Sequence, residues 1–218
     1  MGKIITTVAD GSLIGNPTSG EYFIFLDSNN SNKLTVRNSA GTDTIYEGGT
    51  GAESLFGLYA QTVQSATVTN TTTETSIIGT GVGSLTVPAD TFSVGDSYHG
   101  KVGGVISHQN GDEITIRIKT GATVLASTGL ISLTASTTLG WELELDFTIA
   151  TIGATGDICT NGNFAYNRNS GSLEGYVFQD VQPINTTIAN TLDITVEWNQ
   201  AKTQDQIYSA NFVLYKTY

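Results

Sequence analysis

The sequence is poor in cysteine and in basic residues, and each shortage excludes a class of protein. Cys159 is the only cysteine among 218 residues, so no disulfide can form within the chain, and assembly in a reducing compartment is expected. The chain has 9 Lys and Arg against 20 Asp and Glu, for a formal net charge of -11. Because nucleic-acid binding needs clustered cations that displace counterions from phosphates, we predict no nucleic-acid partner.

Long apolar runs are also missing. No stretch approaches the roughly 20 apolar residues that a membrane-spanning helix needs. The N-terminal stretch MGKIITTVADG lacks the apolar core of a secretory signal. We therefore expect no membrane insertion, and we expect assembly in the cytosol.

The abundant residues are those of strands and tight turns. Glycine occurs 25 times, proline only 3 times, and charged residues make up 13% of the chain, so hydroxyl and amide side chains must cover much of the surface. From residue 67 onward, about ten segments read as strands, with no amphipathic helix between them. This pattern predicts an all-β sandwich or barrel of antiparallel sheets. The predicted core residues on the two clearest strands are Trp141, Leu143, Leu145, Phe147, Ile194, Val196 and Trp198.

The N-terminal part of the chain has a different organisation. Residues 1–50 contain three short candidate strands, EYFIFLDS, KLTVRNS and TDTIYEG, with too few apolar residues for an independent core. We predict a small β module that serves attachment or trimerisation. Residues 51–66 form a Gly-rich linker, in which the spacing of apolar residues from Leu55 to Val63 predicts one short helix. Residues 67–218 are the predicted head.

The stretch WELELDF contains three carboxylates at alternate positions, Glu142, Glu144 and Asp146. Alternate residues of a strand lie about 6.6 to 6.8 Å apart on one face, a separation that suits the two acids of an inverting glycosidase. Any amphipathic strand with acids on its wet face has the same spacing, and the stripe from Trp141 to Phe147 explains the pattern as core packing. We therefore favour a solvated or interface face over a catalytic one.

Other motifs resemble catalytic or metal sites without the partners that such sites need. GDSYHG places Ser97 like an esterase nucleophile, but those enzymes take their general base from a DxxH pair near the C-terminus. The two histidines here, His99 and His108, lie upstream, and with Cys159 they lack zinc-ligand spacing. The turns GDE (111–113) and GD (156–157) leave calcium open as an alternative. We predict no catalytic residue, no cofactor and no metal site.

Aromatic residues are concentrated in the last candidate strand. In a monomer, aromatic side chains on both faces of a terminal strand would leave an apolar patch exposed, whereas sister subunits would turn that patch into an interface core. We favour a subunit interface over a ligand groove. The residues predicted at this interface are Tyr98, Tyr208, Phe212, Tyr215 and Tyr218.

Three stretches of residues 73–218 carry a family resemblance. They are TSIIGTGVGSLTVPADTFSVGDSYHGKVGGVIS, GWELELDFTIATIG and LDITVEWNQAKTQDQIYSANFVLYKTY. They resemble the tumour-necrosis-factor/complement-type (TNF-like) jelly roll found in tail, fibre and capsid proteins of phages, giant viruses and virophages. The N-terminal stretch GEYFIFLDSNNSNKLTVRNSAGTDTIYEGG resembles the short β modules that precede such heads.

The resemblance implies a homotrimer with a ten-stranded jelly-roll head and a non-enzymatic virion role. Expected partners are further copies of the chain, other virion proteins and a host-surface receptor or glycan. The expected location is the capsid surface, after assembly in the host cytoplasm. No collagen-like or coiled-coil stalk precedes the head, so a short spike or decoration fits better than a long fibre. The alternative is a free carbohydrate-binding or receptor-ligand module on the same fold.

Overall fold

The computed structural model describes residues 3–9, 15–19, 22–27, 33–46 and 57–218. The chain divides into two compact units, Met1–Leu55 and Phe56–Tyr218. Within the described ranges every regular element is a strand, which confirms the predicted all-β class. None of these residues belongs to a helix of the length and apolarity that crossing a membrane requires.

The first unit contains a four-stranded sheet in the order β1-β2-β3-β4. Its strands are β1 (Lys3–Ala9), β2 (Phe23–Asp27), β3 (Lys33–Arg37) and β4 (Asp43–Tyr46). The last three occupy the segments predicted as strands. The first was not predicted, and it pairs in parallel with β2; the prediction of antiparallel sheets concerned the strands from residue 67 onward. Parallel pairing needs a connection of about a dozen residues, and the chain between β1 and β2 is that long.

The second unit contains fourteen strands. Several of them span only two or three residues, which is too short for an alternating pattern, and the sequence therefore predicts only about ten strands. The strands are β5 (Tyr59–Gln61), β6 (Val68–Thr69), β7 (Thr75–Ser76), β8 (Gly81–Gly83), β9 (Thr86–Val87), β10 (Ser97–His108), β11 (Glu113–Thr120), β12 (Thr123–Ser127), β13 (Ile131–Ser132), β14 (Ser136–Thr151), β15 (Gly156–Asn167), β16 (Leu173–Ile184), β17 (Asn190–Trp198) and β18 (Gln206–Lys216).

These strands form two antiparallel sheets that pack into a β-sandwich of jelly-roll type. The larger sheet has the order β16-β15-β14-β10-β18-β5-β8, with β6 also paired to β18. The smaller sheet has the order β12-β11-β17-β7, with β13 on β11 and β9 on β17. In each sheet a late strand lies between early ones, β18 between β5 and β10 and β17 between β7 and β11. The chain therefore crosses between the sheets repeatedly, and the two ends of this unit meet side by side.

The core lies between the two sheets and follows the alternation of the longest strands. Along β14 every second side chain from Trp141 to Ile149 is buried, because a pleated strand sends alternate side chains to opposite faces. Along β17 the same holds for Ile194, Val196 and Trp198. All seven residues predicted for the core from the sequence are buried.

The helix predicted within residues 51–66 is wrong for the part of this segment that the structure describes. Tyr59–Gln61 forms β5, which pairs with β18 and β8. The Leu58 N–H donates to the Leu214 carbonyl at 2.7 Å, and the Tyr59 ring packs 5.6 Å from that of Phe212. Hydrogen bonding to the edge of β18 thus stabilises this segment as a strand, although the local spacing of its apolar residues favours a helix. The part of the segment from 51 to 56 lies outside the described residues.

Candidate interaction surface

One face of the larger sheet packs on the core and the other points outward. We call the outward side of β10, β14, β15, β16, β18, β5 and β8 the outer face. Neighbouring strands are in register across it: Lys101 of β10 lies opposite Glu144 of β14 and Val213 of β18. The acids of WELELDF lie on this face, as the favoured interpretation of that stretch requires.

An ion-paired cluster occupies the centre of the outer face. The Lys101 ammonium lies 2.9 Å from a Glu142 carboxylate oxygen and 3.0 Å from one of Glu144. Hydrogen bonds from the ammonium to these two carboxylates raise the pKa of Lys101. The ammonium occupies the space between the two acids where a glycosidic oxygen would have to bind. This geometry supports an ion-paired surface rather than a glycosidase pair.

The third acid has a partner of its own. The Asp146 carboxylate lies 2.7 Å from Nδ1 of His99, its directly opposite neighbour on β10. On the other side, the His99 ring packs 5.2 Å from the Tyr215 ring of β18. The centre of the outer face therefore carries Lys101 and His99 on β10 beside three carboxylates on β14, bounded by the aromatic ring of Tyr215.

Apolar side chains flank this charged centre on both sides. On the edge strand β16, Leu173, Val177 and Val181 point outward, and Val177 is 82% exposed. We call these three residues the β16 margin. On the opposite side Val82, Val213 and Tyr215 form the β18 margin, in which both valines are exposed. Exposed apolar residues grouped on one face are typical of a contact surface.

The residues predicted at a subunit interface divide into two groups. Tyr208 and Tyr215 are half-buried on the outer face, and Tyr218 is exposed beyond the end of β18. Tyr98 and Phe212 are buried in the core of the same chain, so their assignment to an interface was wrong. Tyr98 stacks on Phe147 with ring centroids 4.8 Å apart.

A β-bulge in β18 explains why the prediction from the sequence placed Phe212 at an interface instead of in the core. Gly103 pairs with Asn211 while the next residue, Gly104, pairs with Ser209, so Ala210 is an extra residue. One extra residue reverses which positions point inward. Ile207 and Ser209 are buried before the bulge, and Phe212 and Leu214 are buried after it. The glycine pair opposite is the one signal in the sequence that pointed to this irregularity.

The side chains that resemble parts of enzyme or metal sites lie apart from one another. The Ser97 hydroxyl bonds Thr148 and the Gly95 carbonyl, while His108 is buried against Tyr166 and Trp198. Cys159 is exposed on β15. In the described ranges, no three His, Cys, Asp or Glu side chains come together in a way that could hold a metal ion.

One depression lies on the larger sheet, and one small cavity lies in the core. A shallow depression of about 420 Å³ lies between β15 and β16, lined by Cys159, Thr160, Asn161, Gln179, Asp180 and Val181. An apolar cavity of about 30 Å³ lies between the sheets near Phe92 and Tyr98. The second is only two to three times the roughly 10 to 15 Å³ that a single water molecule needs on this measure, which is too small for an organic ligand.

No protein-family model, curated protein or solved structure matches this chain. The resemblance to viral TNF-like heads therefore remains a prediction from the sequence.

Proposed function

We propose that the protein is a non-enzymatic structural protein of a virion, a homotrimer that forms a surface spike, a fibre head or a capsid decoration. Its partners are then further copies of itself, other virion proteins and, where it mediates attachment, a host-surface receptor or glycan. The jelly-roll-type order of the sheets and the resemblance of residues 73–218 to viral trimeric heads support this proposal.

The observation that carries the proposal is the pair of apolar margins on opposite sides of the outer face. A head-to-tail contact between identical subunits needs two different patches that fit each other, and such contacts close into a ring when the rotation is suitable. The β16 margin of one subunit and the β18 margin of the next are two such patches. Six strand spacings separate Val177 from Val82, about 29 Å at 4.8 Å each, so one subunit can use both margins at once.

The charged centre suits the same arrangement. Lys101, His99 and the three acids are already paired within the subunit. A neighbour that covers the centre therefore leaves none of the three carboxylates without a hydrogen-bonding partner, which is the costly case. Three copies of a weak receptor-binding surface would also gain avidity from the shared ring.

Light scattering on the full chain tests the oligomer. We expect a mass three times the 23.0 kDa of one chain. Val177→Asp and Val213→Asp each place a charge on one margin and should release monomers. Leu130→Asp is the matched control, because Leu130 is exposed in the β12–β13 connection, outside the strands of the larger sheet. A wild-type mass of one chain, or a trimer that both margin variants leave intact, would contradict the proposed interface.

A free carbohydrate-binding or receptor-ligand module is the second candidate. The depression beside Asn161, Gln179 and Asp180 favours it, since amide and carboxylate side chains are suited to hydrogen-bonding sugar hydroxyls. Mass spectrometry of purified particles separates the two candidates. A virion component is recovered from the particles, whereas a free module is absent from them and binds a glycan array.

A further inference from the structure

Two corners of the chain meet at one end of the sandwich, where it crosses between the sheets. The turn at 109–112 links β10 to β11, and the segment 199–205 links β17 to β18. Each corner contributes one aspartate to the contact. Asp112 is 4% exposed and Asp205 is 2% exposed, although neither lies in a strand.

The two carboxyl groups contact each other. Asp112 accepts a hydrogen bond from the Gln109 N–H at 2.6 Å and forms an ion pair with the Lys202 ammonium. It also shares a side-chain hydrogen bond with Asp205. Among the described residues, one oxygen of Asp205, Oδ1, has no partner. Because an ionised carboxylate can only accept hydrogen bonds, one of these two groups must carry the proton that joins them.

The surroundings decide which group carries it. Burial, followed by the hydrogen bond and negative charge of Asp112, raises the pKa of Asp205 to about 7. Burial also acts to raise the pKa of Asp112, but the hydrogen bonds from Lys202, Asp205 and Gln109 outweigh it, and the pKa is lowered. Asp205 therefore carries the proton and donates the hydrogen bond, which the Asp112 carboxylate accepts.

We propose that Asp112 and Asp205 form a proton-dependent latch between the two corners, closed while Asp205 is protonated and loosened when it ionises. The ionised state leaves two buried carboxylates in contact and only one ammonium to offset them. The 4% and 2% exposure of the two groups keeps water from relieving that repulsion. This inference does not depend on the oligomeric state or on a virion role.

The groups that face the latch come from several neighbouring elements. From β10, the buried His108 faces the same corner, and burial lowers its pKa despite the opposing effects of Gln109, Asp112 and Glu174. From the segment after β6, the Asn70 N–H donates to the Lys202 carbonyl. The one charged residue of that segment, Glu74, pairs with Arg117 and Lys119 instead. Lys202 is the cation at this corner, and the pKa of its ammonium is raised by Asp112.

The two titrations have opposite signs. The folded state holds the Asp205 proton more tightly than the unfolded chain, in which the pKa of an aspartate is near 3.8. Stability from this proton is thus complete at low pH and is lost as the pH rises to about 7. His108 is held neutral, so its contribution is present above pH 6.5 and is lost as the pH falls below that value. Variants of Asp205 must therefore be compared with the wild type at each pH, so that the contribution of His108 to the pH dependence of stability cancels.

Urea unfolding of the full chain between pH 5 and pH 8 tests the latch. Asp205→Asn keeps a hydrogen-bond donor toward Asp112 but cannot ionise. We expect the unfolding constant of the wild type, relative to this variant, to rise by up to about tenfold per pH unit between pH 5 and pH 7, and then to level off. Asp96→Asn is the control, because Asp96 is also a buried aspartate paired with a lysine, Lys216, at 2.7 Å. The ratio of the wild-type unfolding constant to that of Asp96→Asn should not change with pH.

Hydrogen exchange locates the effect. From pH 6 to pH 8, peptides covering 109–113 and 199–206 should lose protection in the wild type and keep it in Asp205→Asn, after correction for intrinsic rates. Peptides covering 93–97, where Asp96 lies, should not respond. Parallel pH profiles of wild type and variant would overturn the latch.

Two further measurements keep the proposal falsifiable if Asp205→Asn does not fold. Carbon-13 NMR of the wild type must show one aspartate carboxyl with a midpoint near neutrality, and its absence rules out the shared proton. Unfolding at pH 8 is then repeated with calcium. A stabilisation by calcium that also shifts the carbon-13 resonance of that aspartate carboxyl would mean that the pair is a cation site, which contradicts the latch.

Discussion

Gly104 of β10 faces the backbone of Tyr208 on β18 so closely that a Cβ at position 104 would lie 1.9 Å from the Tyr208 carbonyl oxygen. The same carbonyl accepts a hydrogen bond from the Trp141 indole N–H at 3.1 Å. The bulge at Ala210 brings β18 toward β10 at this point. One glycine thus permits the irregularity that decides which aromatic side chains of β18 face the core and which face outward.

Gly104→Ala should destabilise the head because the added methyl group overlaps backbone atoms, which cannot move as a side-chain end can. Overpacking of this kind costs about 1 to 3 kcal/mol. Gly175→Ala on β16 is the control, since its Cβ would meet only ordinary contacts at 3.7 Å and beyond, and it should stay within about 0.5 kcal/mol of the wild type. Urea unfolding measures both. Equal stabilities of the two variants would show that the bulge tolerates a side chain.

Neutralising the acids of WELELDF should change the free energy of unfolding little. Glu142→Gln, Glu144→Gln and Asp146→Asn each remove one exposed or half-exposed ion pair, and such pairs contribute about 0 to 1 kcal/mol.

The alternating leucines should behave in the opposite way. Leu143→Ala and Leu145→Ala each leave a cavity in the core, at a cost of roughly 2 to 5 kcal/mol. Trp141→Ala should be at least as damaging. Thermal melting of all six variants at pH 5 and pH 8 makes the comparison. Acid variants as unstable as the leucine variants would place the carboxylates in a buried or metal-binding role.

Truncation separates the linker from the head. The fragment 57–218 keeps β5 and should unfold with the stability of the second unit. The fragment 65–218 loses the Tyr59 ring against Phe212 and the Leu58 bond to Leu214. Removal of a buried aromatic contact costs about 3 kcal/mol or more. If both fragments unfold at the same urea concentration, β5 contributes nothing to the sandwich.

Alkaline pH should weaken the core at Tyr98. Burial, followed by the charge and hydrogen bond of Asp96, raises the pKa of Tyr98 to about 12. The unfolded phenol ionises near 10.0, so the stability that the protonated group contributes is present below pH 10 and is lost as the pH rises from 10 to about 12.

Tyr98→Phe isolates this effect. The variant retains an aromatic ring beside Phe147 and should lose less stability between pH 9.5 and pH 11.5 than the wild type. Tyr218→Phe is the control, because Tyr218 is 81% exposed, and it should follow the wild type. Absorbance at alkaline pH, recorded alongside unfolding, reports the ionisation directly. Coincident profiles of wild type and Tyr98→Phe would contradict the assignment.

The all-β class and the buried faces of the long strands could be predicted from the amino-acid sequence alone. In β14 and β17 apolar residues occupy every second position from Trp141 to Phe147 and from Ile194 to Trp198, and all of them are buried. A period of two is a local property of the extended backbone, so a reader of the sequence can assign both faces without knowing the neighbours. The same argument placed the three acids of WELELDF on the outward side.

Features that depend on residues far apart in the chain required the folded structure. The bulge at Ala210 reverses the alternation of β18, the edge of β18 turns Tyr59–Gln61 into a strand, and β1 pairs in parallel with β2. Asp112 and Asp205 meet because two crossings between the sheets end at the same corner. In each case the deciding energy comes from a partner strand or corner brought close by the fold, and no short window of sequence contains it.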